Sequence, residues 1–144
     1  GGYFGSRLMS NIREEKGDTY GIGSYNVTMP QAAHWMIATD VNGDAMEATI
    51  AECIKEIRRL QEELVPEEEL SLVKSYFNGE LLRELDGVFS QSDALKHKLN
   101  YGQDNTFYLW AIDKIRSCTP EDIMRLAQKY LNVDDMYIMT AGKN

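Results

Sequence analysis

Two consecutive amphipathic helices limit the possible folds of this chain more than any other feature. Apolar residues recur three or four positions apart from Met46 to Leu64, and again from Leu70 to Leu85. Pro66, followed by three glutamates, predicts the start of the second helix, because proline is tolerated in a first helical turn and carboxylates stabilise the positive end of the helix dipole. Each helix has one apolar face, which a sheet must cover.

The region before these helices favours β-structure. Residues 18–29 and 33–41 are rich in tyrosine, isoleucine, valine and threonine, and Pro30 stands between the two runs. β-Branched and aromatic residues pack well on a pleated surface, so these runs predict two strands joined by a short turn. A third strand is expected over residues 136–141, close to the C-terminus.

Further helices are predicted at both ends of the chain. Ser6 can cap a helix that runs to about residue 16 and ends at Gly17, where a left-handed residue is favourable. Helical patterns also cover residues 87–104 and 106–117. The sequence TPED at residues 119–122 combines a cap, a proline at the first helical position and an acid at the third, which predicts a helix through residue 131.

Together these elements predict an α+β fold, with an antiparallel sheet covered on one face by several helices. The 144 residues are expected to form one domain with a core of its own. Three strands are few for helices of this length, and the glycine-rich start leads straight into a helix. We therefore expect the chain to lack the first strand and helix of its domain.

The charge of the chain argues against two classes of partner. The net charge is −8 and the isoelectric point is near 4.7. Nucleic acids and anionic membrane surfaces are bound by clustered lysine and arginine, so neither is expected as a partner. The glutamates are spread along the predicted helices, and we interpret them as solvated helix faces rather than as a cation site.

The residues of a complete catalytic centre do not occur together in this sequence. His34 and His97 are far apart, and neither has a second ligand three or four positions away. The motifs H-E-x-x-H, H-x-x-E-H and C-x-x-C do not occur, so no metal site is expected within the chain. Cys53 and Cys118 are interpreted as packing residues, and no serine stands in a G-x-S-x-G setting.

The most specific motif lies at the N-terminus. The segment GGYFG leads into SRL, and REEKGDTYGI follows at residues 13–22. This order resembles the C-terminal domains of the insulinase/pitrilysin family of inverted-motif zinc metallopeptidases, which includes the mitochondrial processing peptidases. Every element of the family pattern is matched, except that Gly5 stands where a serine is frequent. VPEEEL at residues 65–70 and CTPED at residues 118–122 extend the resemblance over nearly the whole chain.

The resemblance implies that this chain is the metal-free, substrate-holding part of a larger peptidase. Family members hold zinc in a half that carries H-x-x-E-H, whereas the C-terminal half presents an arginine and a tyrosine, seven positions apart, to the peptide substrate. Arg13 and Tyr20 have this spacing. Both side chains donate hydrogen bonds, which can align a peptide carbonyl or stabilise its oxyanion. Zinc is expected in a catalytic half that belongs to the same polypeptide or to a partner subunit.

Arg13 and Tyr20 also have structural interpretations. Arg13 can compensate the dipole at the end of its helix or pair with a glutamate, and Tyr20 can be an ordinary strand aromatic. Related core subunits of respiratory complexes resemble the same fold without proteolysis, so a structural role in assembly is the alternative function. The presence of both residues favours the substrate-binding function, because a structural subunit does not need this pair of donors.

Overall fold

The computed structural model describes residues 1–142 and confirms the α+β class. A π-helix over Met9–Glu15, here called the N-terminal helix, precedes strands β1 (Thr19–Met29) and β2 (Ala32–Val41). Five α-helices follow: α1 (Met46–Glu62), α2 (Glu67–Glu84), α3 (Val88–Asn100), α4 (Thr106–Ser117) and α5 (Pro120–Tyr130). The chain divides into two compact units, Gly1–Glu63 with the residues from Leu126 onward, and the segment between them.

Strands β1 and β2 form the predicted antiparallel hairpin. Met29 lies opposite Ala32 at the turn, and Thr19 lies opposite Val41 at the open end. Pro30 and Gln31 make the connection. Proline has no N–H group to offer to a sheet, so its place in the turn costs the hairpin no ladder hydrogen bond.

The predicted third strand is wrong. Residues 136–141 belong to no strand, and the sheet in the described part of the chain consists of β1 and β2. Met136 has extended backbone angles, with φ −78° and ψ 135°. An extended segment becomes a strand only when its N–H and C=O groups pair with a neighbouring strand. Tyr137 and Met139 are 96% and 92% exposed, so the β-propensity of this segment is not matched by a packing partner.

The core of the first unit lies between the hairpin, the N-terminal helix and α1. Its buried members are Leu8, Met9, Ile12, Ile22 and Cys53, and the half-buried Ile37 of β2 packs against them. One face of the hairpin is therefore covered by helices, as the sequence predicts. At the other end of α1, the Gln61 side chain donates a 2.7 Å hydrogen bond to the carbonyl of Leu131, just beyond α5.

The second unit is helical. Helices α2 and α4 are joined by a 3.1 Å hydrogen bond from Lys74 Nζ to the carbonyl of Arg116. Helix α3 ends at Asn100, earlier than predicted, because Gly102 adopts a left-handed conformation with φ +62°. None of the helices among the described residues combines the length and apolar character needed to cross a bilayer.

The start of α5 has the predicted capping geometry. The Thr119 hydroxyl accepts a hydrogen bond from the N–H of Asp122 at 3.2 Å. The Asp122 carboxylate in turn accepts one from the N–H of Thr119, also at 3.2 Å. Two donors that the helix would otherwise leave unsatisfied are thus satisfied reciprocally, in the manner of a capping box.

Candidate functional site

The N-terminal helix carries Arg13 and ends at a sharp reversal of the chain. It is wound as a π-helix, so the N–H of Lys16 donates to the carbonyl five residues earlier, on Asn11, at 3.2 Å. Gly17 then adopts φ +71°, which confirms the predicted left-handed residue. The N–H of Asp18 returns to the carbonyl of Ile12 at 3.1 Å, and β1 begins immediately afterwards.

Apolar contacts fix the position of this helix. Ile12 has no exposed surface, and Leu8 and Met9 are buried beside it in the same cluster. The sulfur of Met9 also accepts a hydrogen bond from the N–H of Ile22 in β1, with an N···S distance of 3.4 Å. The helix that bears Arg13 therefore packs directly against the strand that bears Tyr20.

Polar contacts join the same helix to α1. The Asn11 amide donates hydrogen bonds to the carboxylates of Glu52 and Glu56, each at 2.9 Å. Lys16 forms an ion pair with Glu52 at 2.6 Å, and Arg59 pairs with the buried Glu56 at 3.2 Å. The Lys16 ion pair, followed by the Asn11 hydrogen bond, lowers the pKa of Glu52 to about 2. Glu52 is therefore ionised at neutral pH and holds the helix end in place.

Cys53 lies beside these carboxylates and belongs to the core. Its burial, and secondly the charges of Glu52 and Glu56, raise the pKa of the Cys53 thiol to about 11. A thiol in these surroundings remains protonated at neutral pH and is a poor nucleophile. The structure thus agrees with the interpretation of Cys53 as a packing residue.

Arg13 is half-buried and lies against the glycine-rich N-terminal segment. Its guanidinium carbon stands over the ring of Phe4, 4.7 Å from the ring centroid, which is cation–π geometry. The same segment is attached to β1, because the carbonyl of Gly1 accepts a 2.9 Å hydrogen bond from the N–H of Ser24. An aromatic ring against one face of the guanidinium restricts the rotamers of Arg13 and leaves the edges, which carry the N–H donors, for other partners.

Tyr20 lies in a β-bulge at the start of the hairpin. Between the pairs Thr19–Val41 and Ile22–Thr39, β1 has two residues where β2 has only Asp40. A bulge of this kind redirects side chains, and here the Tyr20 side chain is fully exposed. Large aromatic side chains are usually at least partly covered in strands, so full exposure of this phenol is not explained by packing.

Two threonine side chains hold the bulge. Thr19 Oγ1 accepts a hydrogen bond from the N–H of Gly21 at 3.1 Å, and lies 2.7 Å from the carbonyl of Asp40, to which it can donate. Thr39 Oγ1 lies 2.9 Å from Thr19 Oγ1 and 3.0 Å from the carbonyl of Gly21. The backbone on both sides of Tyr20 is therefore pinned by buried or half-buried hydroxyl groups.

The predicted pair lies within one unit, on consecutive elements that pack against each other, with Arg13 half-buried and Tyr20 exposed. Phe4, Thr19 and Thr39 also contribute to the site, although the sequence motif assigns them no role. For Thr19 the only signal is a threonine at the start of a strand, close to a glycine. The partnership of Thr19 with Thr39 depends on the register of the hairpin.

Zinc does not fit the residues that the structure describes. Among residues 1–142, no group of three or more histidine, cysteine, aspartate or glutamate side chains is arranged to hold a metal ion. His34 is exposed on β2, and His97 in α3 lies against the ring of Tyr101, with 4.5 Å between the ring centroids. The first unit presents Arg13 and Tyr20 on a helix and a strand that pack against each other.

The family of the chain follows from comparison with known proteins. Residues 1–77 match the family described as the peptidase M16 inactive domain, and the chain belongs to this family. This result confirms the resemblance seen in the N-terminal motif. The matched residues include the glycine-rich segment, the N-terminal helix and the whole hairpin.

Individual relatives agree with this assignment. An uncharacterized zinc protease of Rickettsia felis is 31% identical over 144 residues, which are 99% of this chain and 31% of the relative. The crystal structure of a peptidase M16 inactive domain from Pseudomonas fluorescens superposes with a TM-score of 0.81 at 25% identity, covering 93% of this chain and 32% of that one. A protease from Helicobacter pylori shares the fold, with a TM-score of 0.78 at 18% identity over 90% of this chain and 32% of that one. The chain thus spans just under a third of each.

Proposed function

We propose that this chain is the substrate-holding, non-catalytic domain of a zinc metallopeptidase, and that Arg13 and Tyr20 donate hydrogen bonds to the backbone of a peptide substrate. The observation that carries the proposal is the full exposure of Tyr20 in a bulge whose backbone is held by Thr19 and Thr39. A phenol that packs against nothing, on a backbone held this firmly, has the properties expected of a ligand-binding group.

The two side chains suit a peptide carbonyl. The guanidinium of Arg13 is permanently charged and has only donors, and the phenol of Tyr20 can donate one hydrogen bond. Donors that point at a carbonyl oxygen orient it in the ground state and stabilise the negative charge that grows there when a nucleophile attacks. Phe4 supports this role because it holds the guanidinium of Arg13 from one face.

Peptide-bond hydrolysis itself requires a second, zinc-bearing half, because the described residues of this chain offer no zinc site. That half belongs either to the same polypeptide or to a partner subunit. The relative from Rickettsia felis supports the proposal, since it is named a zinc protease and is about three times as long as the segment it shares with this chain. With a net charge of −8, neither nucleic acid nor an anionic membrane surface is a suitable partner.

The proposal is tested by Arg13→Lys and Tyr20→Phe, assayed with the zinc-bearing half present. Each variant should lower peptide turnover roughly 10- to 1000-fold, the scale of losing one transition-state donor, without unfolding the domain. Arg58→Lys on α1 and Tyr137→Phe near the C-terminus are matched controls, because both residues are exposed and lie outside the site. The controls should retain full turnover.

The alternative is a non-proteolytic, structural role in assembly. If the domain has only a structural role, substitutions of Arg13 and Tyr20 should leave its complex with the partner intact. Unchanged turnover in both variants would therefore remove the proposed role of these residues. Absence of any peptide hydrolysis by the complete assembly, together with intact complex formation, would support the structural alternative.

A further inference from the structure

The sequence contains two asparagines that are followed by glycine, Asn42 before Gly43 and Asn78 before Gly79. Asparagine is one of the thermally labile residues of proteins. It can lose its side-chain amide without an enzyme, because the backbone nitrogen of the next residue attacks the side-chain carbonyl carbon and closes a succinimide ring. Glycine in the next position favours this step, since it has no Cβ to obstruct the attack. In a folded protein the backbone conformation of the pair then decides whether the ring can close.

Asn42 lies in a connection that permits the reaction. It follows the last residue of β2 and precedes the 3₁₀ turn Gly43–Ala45, which leads into α1. Its backbone is extended, with φ −62° and ψ 144°, and its side chain makes no hydrogen bond that caps the turn. Both Asn42 and Gly43 are exposed. The Asn42 side chain can therefore turn toward the nitrogen of Gly43.

The nitrogen of Gly43 is available as the nucleophile. It belongs to the first residue of the turn, and the first N–H groups of a helix have no partner within it. The turn is closed by a 2.9 Å hydrogen bond from the N–H of Ala45 to the carbonyl of Asn42, and by one from the N–H of Met46 to the carbonyl of Gly43. Neither bond uses the Gly43 nitrogen, so attack by this atom removes no donor from the turn.

Asn78 has the same neighbour but a different conformation. It lies inside α2 (Glu67–Glu84), where ψ is held near the helical value and each N–H donates to the carbonyl four residues earlier. Ring closure there requires rotation about ψ and breaks the hydrogen bond of the Gly79 N–H, so α2 must first open locally. Gly79 is exposed, as Gly43 is. Conformation therefore distinguishes the two pairs, and access of water to the glycine does not.

We propose that Asn42 is a site of spontaneous deamidation and that α2 protects Asn78 from the same reaction. This inference is independent of the proposed function. The Gly43 nitrogen forms a bond to Cγ of Asn42, the bond from Cγ to Nδ2 breaks, and the proton of the Gly43 N–H leaves with Nδ2 as ammonia. Water then adds to one of the two succinimide carbonyls and cleaves its bond to the ring nitrogen. The product is aspartate or isoaspartate, depending on which carbonyl is attacked.

The modification changes the connection between β2 and α1. Either product adds one negative charge at the start of α1, to a chain whose net charge is −8. A carboxylate is favourable at a helix N-terminus, whereas repulsion from the nearby Asp44 opposes it. In isoaspartate the main chain passes through the former Asn42 side chain and is longer by one methylene. The carbonyl that accepts the hydrogen bond from Ala45 then becomes a carboxylate outside the main chain.

Ageing of the purified chain tests the proposal. The folded chain is incubated in mildly alkaline buffer, sampled over time, and digested under mildly acidic conditions, which keep the reaction slow. Mass spectrometry detects deamidation as a gain of one mass unit, and fragmentation locates it. Asn42 should deamidate more than about tenfold faster than Asn78, because the reaction at Asn78 requires local opening of α2. Both aspartate and isoaspartate should form at residue 42, since a succinimide is hydrolysed at either carbonyl.

Three controls isolate the effect of conformation. In concentrated urea, where α2 is unfolded, the advantage of Asn42 over Asn78 should disappear. Gly43→Ala should slow deamidation of Asn42 severalfold, because a methyl group obstructs the attacking nitrogen, and the φ angle of Gly43 is not one that requires glycine. Gly79→Ala is the matched control and should leave the rate at Asn42 unchanged. Circular dichroism verifies that each variant is folded.

Each possible failure contradicts a particular step. Equal rates at Asn42 and Asn78 in the folded chain would refute protection by α2. An Asn42 that keeps its amide in the folded chain and loses it in urea would refute the proposed site. Formation of aspartate without isoaspartate, or an unchanged rate in folded Gly43→Ala, would refute attack by the Gly43 nitrogen. The comparison of the two asparagines needs no variant, so it remains decisive if Gly43→Ala does not fold.

Discussion

Replacing Thr19 by valine tests whether one hydroxyl group holds the bulge that presents Tyr20. Valine has nearly the shape of threonine and a similar preference for strands. The substitution therefore removes the hydroxyl group and changes little else. Thr19 is only 9% exposed, so water cannot readily supply the hydrogen bonds that its hydroxyl group makes. The Gly21 N–H loses its acceptor at 3.1 Å, and the Asp40 carbonyl loses a donor at 2.7 Å.

The cost follows from these contacts. Thr39 can still donate to the carbonyl of Gly21, at 3.0 Å, so its own hydroxyl remains satisfied. Two hydrogen bonds are then lost, and each contributes about 0.5–1.5 kcal/mol net. The free energy of opening the bulge should therefore fall by about 1–3 kcal/mol, which corresponds to roughly 5- to 150-fold faster exchange of the Gly21 amide hydrogen.

Native-state hydrogen exchange is the appropriate assay, because it reports the opening of β1 without requiring the two units to unfold together. Thr140→Val, at an exposed position outside the strands, is the control and should leave the Gly21 amide unchanged. Exchange of Gly21 in Thr19→Val within twofold of the wild-type rate would refute the idea that this hydroxyl holds the bulge.

Two further predictions concern the scaffold beneath Arg13. Ile12→Ala removes a side chain with no exposed surface, so urea denaturation should show a loss of about 2–5 kcal/mol, and a loss below 1 kcal/mol would mean that the helix is not anchored there. The pKa of Glu52 is lowered from 4.5 to about 2, chiefly by Lys16. The ion pair between them therefore stabilises the folded state fully above about pH 4.5, and this stabilisation is lost as the pH falls toward 2. Glu52→Gln should remove this part of the acid sensitivity, and NMR titration of the Glu52 carboxyl carbon should give the lowered pKa directly.

The elements with strong local signals are those that the sequence predicts well. Helix α1 follows a regular apolar spacing, and α5 begins with a capping box, in which Thr119 and Asp122 bond each other's N–H groups as expected. The left-handed Gly17 is another local effect, because only glycine adopts this conformation without a steric penalty. Each of these features depends on residues within one or two helical turns.

The features that escape prediction depend on residues distant in sequence. The bulge around Tyr20 is held by Thr39, which is nineteen positions away from it, and the exposure of Tyr20 depends on that bulge. Residues 136–141 have the composition of a strand but no strand beside them. The motif places Arg13 and Tyr20 at the site, yet the ring of Phe4 over Arg13 becomes visible only in three dimensions. Local propensity cannot anticipate such contacts.

A hairpin of two strands has one further consequence, for the handling of this protein. In the described residues β2 bonds to a neighbouring strand on one side only, so its N–H and C=O groups lie open along the other side, whereas the corresponding side of β1 is partly occupied by Gly1 and Met9. Such open edges are templates for pairing with another chain, and the apolar Tyr25, Met29 and Met36 beside them would strengthen it. Mutual repulsion between chains of net charge −8 opposes this pairing. Concentrated or high-salt preparations, in which that repulsion is screened, should therefore be the first to form intermolecular β-sheet.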